Sequence, residues 1–235
     1  NRRTFIGTES SNLSPSTIKW CLVTFLRNSH MSEIFNLGNQ ILLDKRIDTI
    51  RFMEDIVQFD DKWAQYNDLK PHIKREGLCV INESGLNQSG PALNSLYEWN
   101  TKFGTEYSEK DFDKTTPVYD CTDMKELFSE ILHLCGRTHI LRLPPGGFFP
   151  PHRDSRGKSD TFRLIMALTN TDNPWFRFML EDKPLHFEIG ALYAVNTTLE
   201  HTLFNAGTRD SYWLVINAHD RPETHEWVRS HLAIN

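Results

Sequence analysis

A mainly β chain, with helices ahead of the sheets and one short helix behind them, is the fold class that the sequence predicts. Three observations lead there. From residue 138 onward, short β-branched or aromatic runs succeed one another: THILRL, TFRLIMALTN, WFRFML, LHFEIG, ALYAVN, HTLFNAG and SYWLVINA. The turn-forming groups PPGG, TDNP, EDKP and NAGTRD separate them, and short strands at this spacing favour a sandwich or barrel over alternating βαβ units. Earlier in the chain the periodicity is different. Ile47, Ile50, Phe52, Met53, Ile56, Val57, Phe59 and Trp63 recur at the mixed spacing of an amphipathic helix.

The elements follow in order. Residues 1–30 are rich in Ser, Thr and Asn, with Arg2, Arg3, Lys19 and Arg27 against Glu9; they read as a leader, either a disordered one or one of transit-peptide type. Residues 33–70 carry one or two helices, ended at Pro71. Residues 77–121 are loop-rich, with ESGLNQSGP as the clearest linker-like patch. TDMKELFSEILHLCG, residues 122–136, reads as a helix capped by Thr122 and stopped by Gly136. After the strands, DRPETHEWVRSHLAIN starts a closing helix at Pro222. The organisation is thus a leader at 1–30, a helical and loop-rich region at 31–136 that packs on the core, and a β core with its closing helix at 137–235.

Composition narrows the function classes. The chain has 235 residues, 39% hydrophobic and 24% charged, an ordinary globular balance long enough to bury a core. A net charge of −5 offers no broad basic face to nucleic acid. The apolar run WCLVTFL falls far short of the roughly 18 residues that span a membrane. Cys21, Cys79, Cys121 and Cys135 form no CxxC pair, which suits free thiols in a reducing, cytoplasmic setting.

The chemistry concentrates in RLPPGGFFPPHRDSRG, residues 142–157. His152 and Asp154 are two apart, so on extended chain they share a face. That spacing alone also describes a histidine and an aspartate in a surface turn. The rigid PPGG turn at the strand start, the strand-rich sequence that follows and a second histidine at the head of HTLFNAG, His201, favour a site. Two histidines and one carboxylate form the facial triad of non-haem Fe(II) oxygenases, which leaves coordination positions open for cosubstrate and O₂. Arg163, amid the apolar TFRLIMAL, needs a partner. Arg142 could bind substrate or pair with a surface carboxylate, and Trp175, Phe176 and Trp213 read as core or pocket wall. His219, Asp220, His225 and His231 crowd the C-terminus without the i, i+4 histidines of a zinc-protease helix. His186 reads as a strand histidine rather than a ligand.

LRLPPGGFFPPHRD, FRLIMALTN, LEHTLFNAG and WLVINAHD together resemble the aspartyl/asparaginyl β-hydroxylase family, over about residues 117–220. The resemblance implies a double-stranded β-helix, jelly-roll or cupin-like, with Fe(II) at His152, Asp154 and His201, and 2-oxoglutarate and O₂ as cosubstrates. It further implies oxidative decarboxylation to succinate and CO₂, with hydroxylation of an amino-acid residue or a small amino-acid-like molecule; the substrate is a small molecule or a peptide. Members usually carry an arginine ten residues after the second histidine, to grip the far carboxylate of 2-oxoglutarate. Here Ser211 stands there. Arg163 matches a second arginine that some members direct at the cosubstrate, and Arg209 shares the face of Ser211 if the strand begins early enough. The serine also admits a different reading, a catalytically degenerate module that binds metal or a small acid without turnover.

Overall fold

The computed structural model describes residues 32–87, 90–154, 160–169, 171 and 174–233. The leader expected at 1–30 lies outside the described residues. The N-terminal region contains β1 (Gln40–Arg46), α1 (Thr49–Ile56), β2 (Ala64–Gln65), β3 (Glu76–Asn82), α2 (Leu96–Phe103), β4 (Lys114–Thr115) and α3 (Thr122–Phe128). The strands β5 (Cys135–Leu143), β6 (Phe148–His152), β7 (Thr161–Thr169), β8 (Phe176–Leu180), β9 (Lys183–Leu185), β10 (Ala191–Val195), β11 (His201–Asn205) and β12 (Ser211–His219) follow, and α4 (Pro222–Ser230) comes after them.

Strands β5 to β12 build two antiparallel sheets. One runs β10-β7-β12-β5, the other β6-β11-β8-β9. The chain changes sheet at every step except the β8–β9 hairpin, which is the winding of a jelly roll, the double-stranded β-helix. The larger sheet extends beyond this core: β1 pairs outside β10, β3 and β2 continue past β5, and β4 pairs with β3.

The larger sheet is buried on both faces, and its alternation assigns each side chain. On β7 and β12, Ile165, Ala167 and Trp213 point between the two sheets and pack with Leu141, Phe176, Phe178, Tyr193 and Leu203. Leu164, Met166, Leu214 and Ile216 point the other way, against Phe52 and Ile56 of α1 and Met124 and Phe128 of α3. This explains why FRLIMALT is nearly continuous in apolar residues; a strand covered on both sides does not alternate with polar ones.

Several elements depart from the sequence reading. β1 and β3 are strands where helix and loop were expected, because β1 pairs outside β10 and β3 pairs with β5 on one side and β2 and β4 on the other. The helix expected over 122–136 stops at Phe128. Thr122 is its first residue rather than its cap, and Gly136 is in β5, where Cys135 already pairs with Ala218. Pairing with β12 takes the end of that segment out of the helix. Helix α1 is capped by Asp48, whose carboxylate accepts from the Ile50 and Arg51 amides. The closing helix begins at Pro222, as its sequence predicts.

Candidate metal centre

The segment that holds the candidate ligands is built by two glycines, two prolines and an asparagine. Gly146 has φ +77°, a conformation other residues resist. A Cβ on Gly147 would come 2.5 Å from the Lys74 carbonyl oxygen and 2.8 Å from that of Pro144, so only glycine lets this turn lie against the chain before β3. Asn205 locks the same turn. Its backbone exchanges hydrogen bonds with Gly146 and Gly147, while its buried amide donates to the carbonyls of Leu143 and Arg209.

From that turn β6 enters as the edge of the smaller sheet, opposite β11. His201 and Leu203 face His152 and Phe149, so β6 carries one extra residue in a bulge that spans Pro150 and Pro151. Edge strands and bulges are where prolines are tolerated, and a bulge re-aims the side chain beside it. His152 and His201 are therefore direct cross-strand partners, with ring centroids 4.2 Å apart.

His152 Nδ1 lies 2.8 Å from the Pro150 carbonyl, and His201 Nδ1 lies 3.0 Å from that of Leu199. A carbonyl only accepts, so each Nδ1 carries a proton and Nε2 is the nitrogen left for a metal. That is the usual posture of a metal-ligating histidine. Asp154 is held by its amide on the Thr197 carbonyl, 2.9 Å away, and its Oδ1 lies 3.7 Å from His152 Nε2. One ligand atom from each of His152, Asp154 and His201 falls within 4.8 Å of the others. The donor set fits Fe(II): two imidazoles and a carboxylate on one side, with a cavity on the other.

Arg163 on β7 donates from Nε to the second oxygen of Asp154 at 2.8 Å. Burial by itself would raise the Asp154 carboxyl, but the Arg163 guanidinium, helped by His201 and His152, outweighs it and holds the group below the ordinary carboxylate range. Burial lowers His201, and His152 adds to this, although Asp154 opposes it. His139 is pushed well down by burial and by Arg163 and Arg137, so it is a neutral imidazole.

A cavity of about 60 Å³ lies over these groups, walled by Leu141, Ile165, Phe178, Leu203, Trp213 and Val215. It opens beside a groove of about 990 Å³ reaching Tyr66, Arg75 and α2. The fold thus brings together His152, Asp154, His201 and Arg163. It does not bring Arg209 or Ser211 to the cavity wall. Arg209 is exposed in the turn between β11 and β12. Ser211 is wholly buried; its hydroxyl donates to the Thr169 carbonyl at 3.2 Å and accepts from Trp213 Nε1 at 2.9 Å.

The remaining candidates take structural places. Arg142 pairs with Glu76. Phe176 and Trp213 are buried, whereas Trp175 is 59% exposed and is no part of the core. His225 pairs with Asp220 and also meets the Ser32 hydroxyl through the same Nε2; sharing one nitrogen, the three cannot relay a proton as a hydrolase triad does. His231 stacks on Trp227 and pairs with Glu130. Sequence reasoning missed Tyr66, Arg75, His139 and Phe149, which line the cavity or groove. Only His139 had a signal, a polar residue within the apolar run THILRL.

No family model matches the chain, and no curated protein matches it. Solved structures similar to it include a prolyl hydroxylase from Trichoplax adhaerens in complex with a hypoxia inducible factor peptide fragment (12% identity, TM-score 0.48, covering 88% of this chain and 95% of that one). A Pseudomonas putida prolyl-4-hydroxylase is also similar (11% identity, TM-score 0.45, covering 82% and 98%). So is a 2OG-Fe(II) oxygenase family oxidoreductase from Burkholderia pseudomallei (12% identity, TM-score 0.42, covering 81% and 88%). At such low scores the side chains, rather than the likeness, carry the functional reading.

Proposed function

We propose that the protein is an Fe(II)/2-oxoglutarate-dependent oxygenase that hydroxylates an amino-acid residue or a small amino-acid-like substrate. The observation that carries this is the convergence of one ligand atom each from His152, His201 and Asp154, with both Nδ1 atoms tied to backbone carbonyls. When bound, iron with 2-oxoglutarate and O₂ supplies oxidative decarboxylation of the oxo acid and oxidation of a C–H bond. The chain's own residues do the rest. The two imidazoles present Nε2 to the metal, their Nδ1 atoms being held by backbone carbonyls. Arg163 keeps Asp154 ionised and aimed at the histidines, and its terminal amino groups remain for the far carboxylate of 2-oxoglutarate. The apolar walls, Trp213 and Phe178 among them, exclude water and hold the reacting carbon.

A second reading, a degenerate module that binds metal or a small acid without turnover, is favoured by Ser211. Its hydroxyl is consumed by Thr169 and Trp213, so β12 brings no anion-binding group to the cavity. The experiment has two parts. Mn(II) titration should show one site per chain, lost in both His152→Ala and His201→Ala and weakened in Asp154→Ala; full binding in both histidine variants refutes the metal assignment. Incubation with Fe(II), ascorbate and 2-oxoglutarate should yield succinate. Metal binding without succinate decides for the second reading.

A further inference from the structure

Arg75 stands directly before β3, and only 4% of its surface is exposed. Its Nε is sealed from solvent and meets no acceptor. Arg137, Arg163 and Lys70 around the groove are matched by Glu109, Asp154 and Glu98, while Arg153, which also lines it, is exposed to water rather than buried. Glu98 acts on Arg75 only across space, its oxygens being bonded to Lys70 and Asn67. Among the described residues, Arg75 has no carboxylate in ion-pair contact. A guanidinium keeps its proton at any ordinary pH, so its charge stays in this buried place with no carboxylate in contact among the described residues. Buried charges are otherwise paired.

The surroundings hold the guanidinium in position for a ligand. Its central carbon lies 4.1 Å from the centroid of the Phe149 ring and 5.3 Å from that of Tyr66. The Phe149 ring stacks on His152 at 6.0 Å. Arg75 is therefore linked to the metal centre through one aromatic ring, and it lines the same groove as His152, Asp154 and Arg163. The Gly147 contact with Lys74 fixes the backbone next to it.

We propose that Arg75 is a carboxylate-binding residue of this site, taking the acidic group of a ligand that lies in the groove over His152, Asp154 and His201. The oxygenase reading enters only in naming what that acid belongs to. Two sources share the chemistry, an acidic group on the substrate and the far carboxylate of 2-oxoglutarate. Arg75 lines the outer groove and not the inner cavity, which favours the substrate. A planar fork pairs bidentately with a carboxylate, which a lysine cannot do.

The test uses the Mn(II)-loaded full chain as wild type, Arg75→Met and Arg75→Lys, titrated calorimetrically with two matched pairs of probes. One pair is 2-oxoglutarate and 2-oxobutyrate, which lacks the far carboxylate. The other is N-acetyl-aspartate and N-acetyl-asparagine, added to protein saturated with 2-oxoglutarate or, if none binds, to the Mn(II) form alone. The wild type should favour the more acidic member of at least one pair by about tenfold or more. Arg75→Met should lose that preference, Arg75→Lys should keep part of it, and both should bind Mn(II) as the wild type does. Loss on the acetylated pair assigns Arg75 to the substrate, and loss on the oxo-acid pair assigns it to the cosubstrate. A wild type that discriminates on neither pair, or an Arg75→Met protein that still discriminates as the wild type does, overturns the proposal. If the wild type binds Mn(II) but no 2-oxo acid, the oxygenase reading fails and the acetylated pair alone decides Arg75.

Discussion

Replacing Arg137 by methionine should destabilise the protein strongly at neutral pH and much less in acid. Arg137 opens onto Glu109 with its Nε 3.0 and 3.1 Å from the two carboxylate oxygens and a terminal amino group at 2.5 Å. It also donates to the Asn94 carbonyl at 2.7 Å. Asn217 of β12 donates to Glu109 at 2.8 Å, so the pair ties the N-terminal region to β5 and β12. The two side chains are only 11% and 10% exposed. Truncating one partner of such a pair costs about 3–5 kcal/mol, and the residual exposure places this case near the lower end. With a urea slope of about 3 kcal/mol/M, the unfolding midpoint should fall by about 1 M. The pH dependence follows from Glu109. Burial would raise its carboxyl, but Arg137 foremost, with Arg163 and Asn217, outweighs burial and lowers it. A depressed carboxyl contributes stability that is present above its unfolded value of about 4.3 and lost as pH falls through its folded one. The difference between wild type and variant should therefore be full at pH 7 and shrink below about pH 4. Urea unfolding at the two pH values measures both. A midpoint shift under about 0.2 M at neutral pH, or a difference that does not narrow in acid, would refute the reasoning.

Arg163→Met should weaken 2-oxoglutarate binding by on the order of 2–5 kcal/mol, while Arg209→Met leaves it unchanged; wild-type affinity in both would move the anchor to another group. Gly147→Ala forces a Cβ against two carbonyl oxygens, and should cost about 1–3 kcal/mol and lower Mn(II) affinity by disturbing the start of β6. A melting temperature and a metal titration both equal to wild type would show that the turn yields freely.

The sequence made six of the eight jelly-roll strands legible because their apolar runs are punctuated by turn residues. His152 and Asp154 were legible for the same reason, lying beside the strongest turn in the chain. The run LHFEIG leaves its strand after Leu185, β9 (Lys183–Leu185) falling largely on the expected turn EDKP, and β6 lies in none of the runs. β1 and β3 carry short apolar runs, ILL and LCVI, that match the core strands, but they sit among helical spacing and loop-rich sequence without the regular turn punctuation that marks the later strands. Arg75, Tyr66 and Phe149 were hidden more deeply. Arg75 and Tyr66 come from a segment with no strong periodicity, and their meeting with Phe149 depends on a glycine contact across about seventy residues of chain. Ser211 was legible as a departure, but not its burial, which leaves no room to introduce an arginine there without breaking the bond to Trp213.

The cross-strand pairing of His152 with His201 makes the centre sensitive to length. A single residue inserted between His201 and Asn205 would turn one end of β11 over, sending either the imidazole or the Asn205 amide to the wrong face. The turn at 206–210 is less constrained: changing its length would give up the Asn205 bonds to Gly207 and Arg209, but Asn205 would still be fastened to the Leu143 carbonyl. Libraries that vary loop length should recover metal-binding chains with altered 206–210 segments and none with an altered 201–205 segment, which makes the latter a ruler for the metal centre.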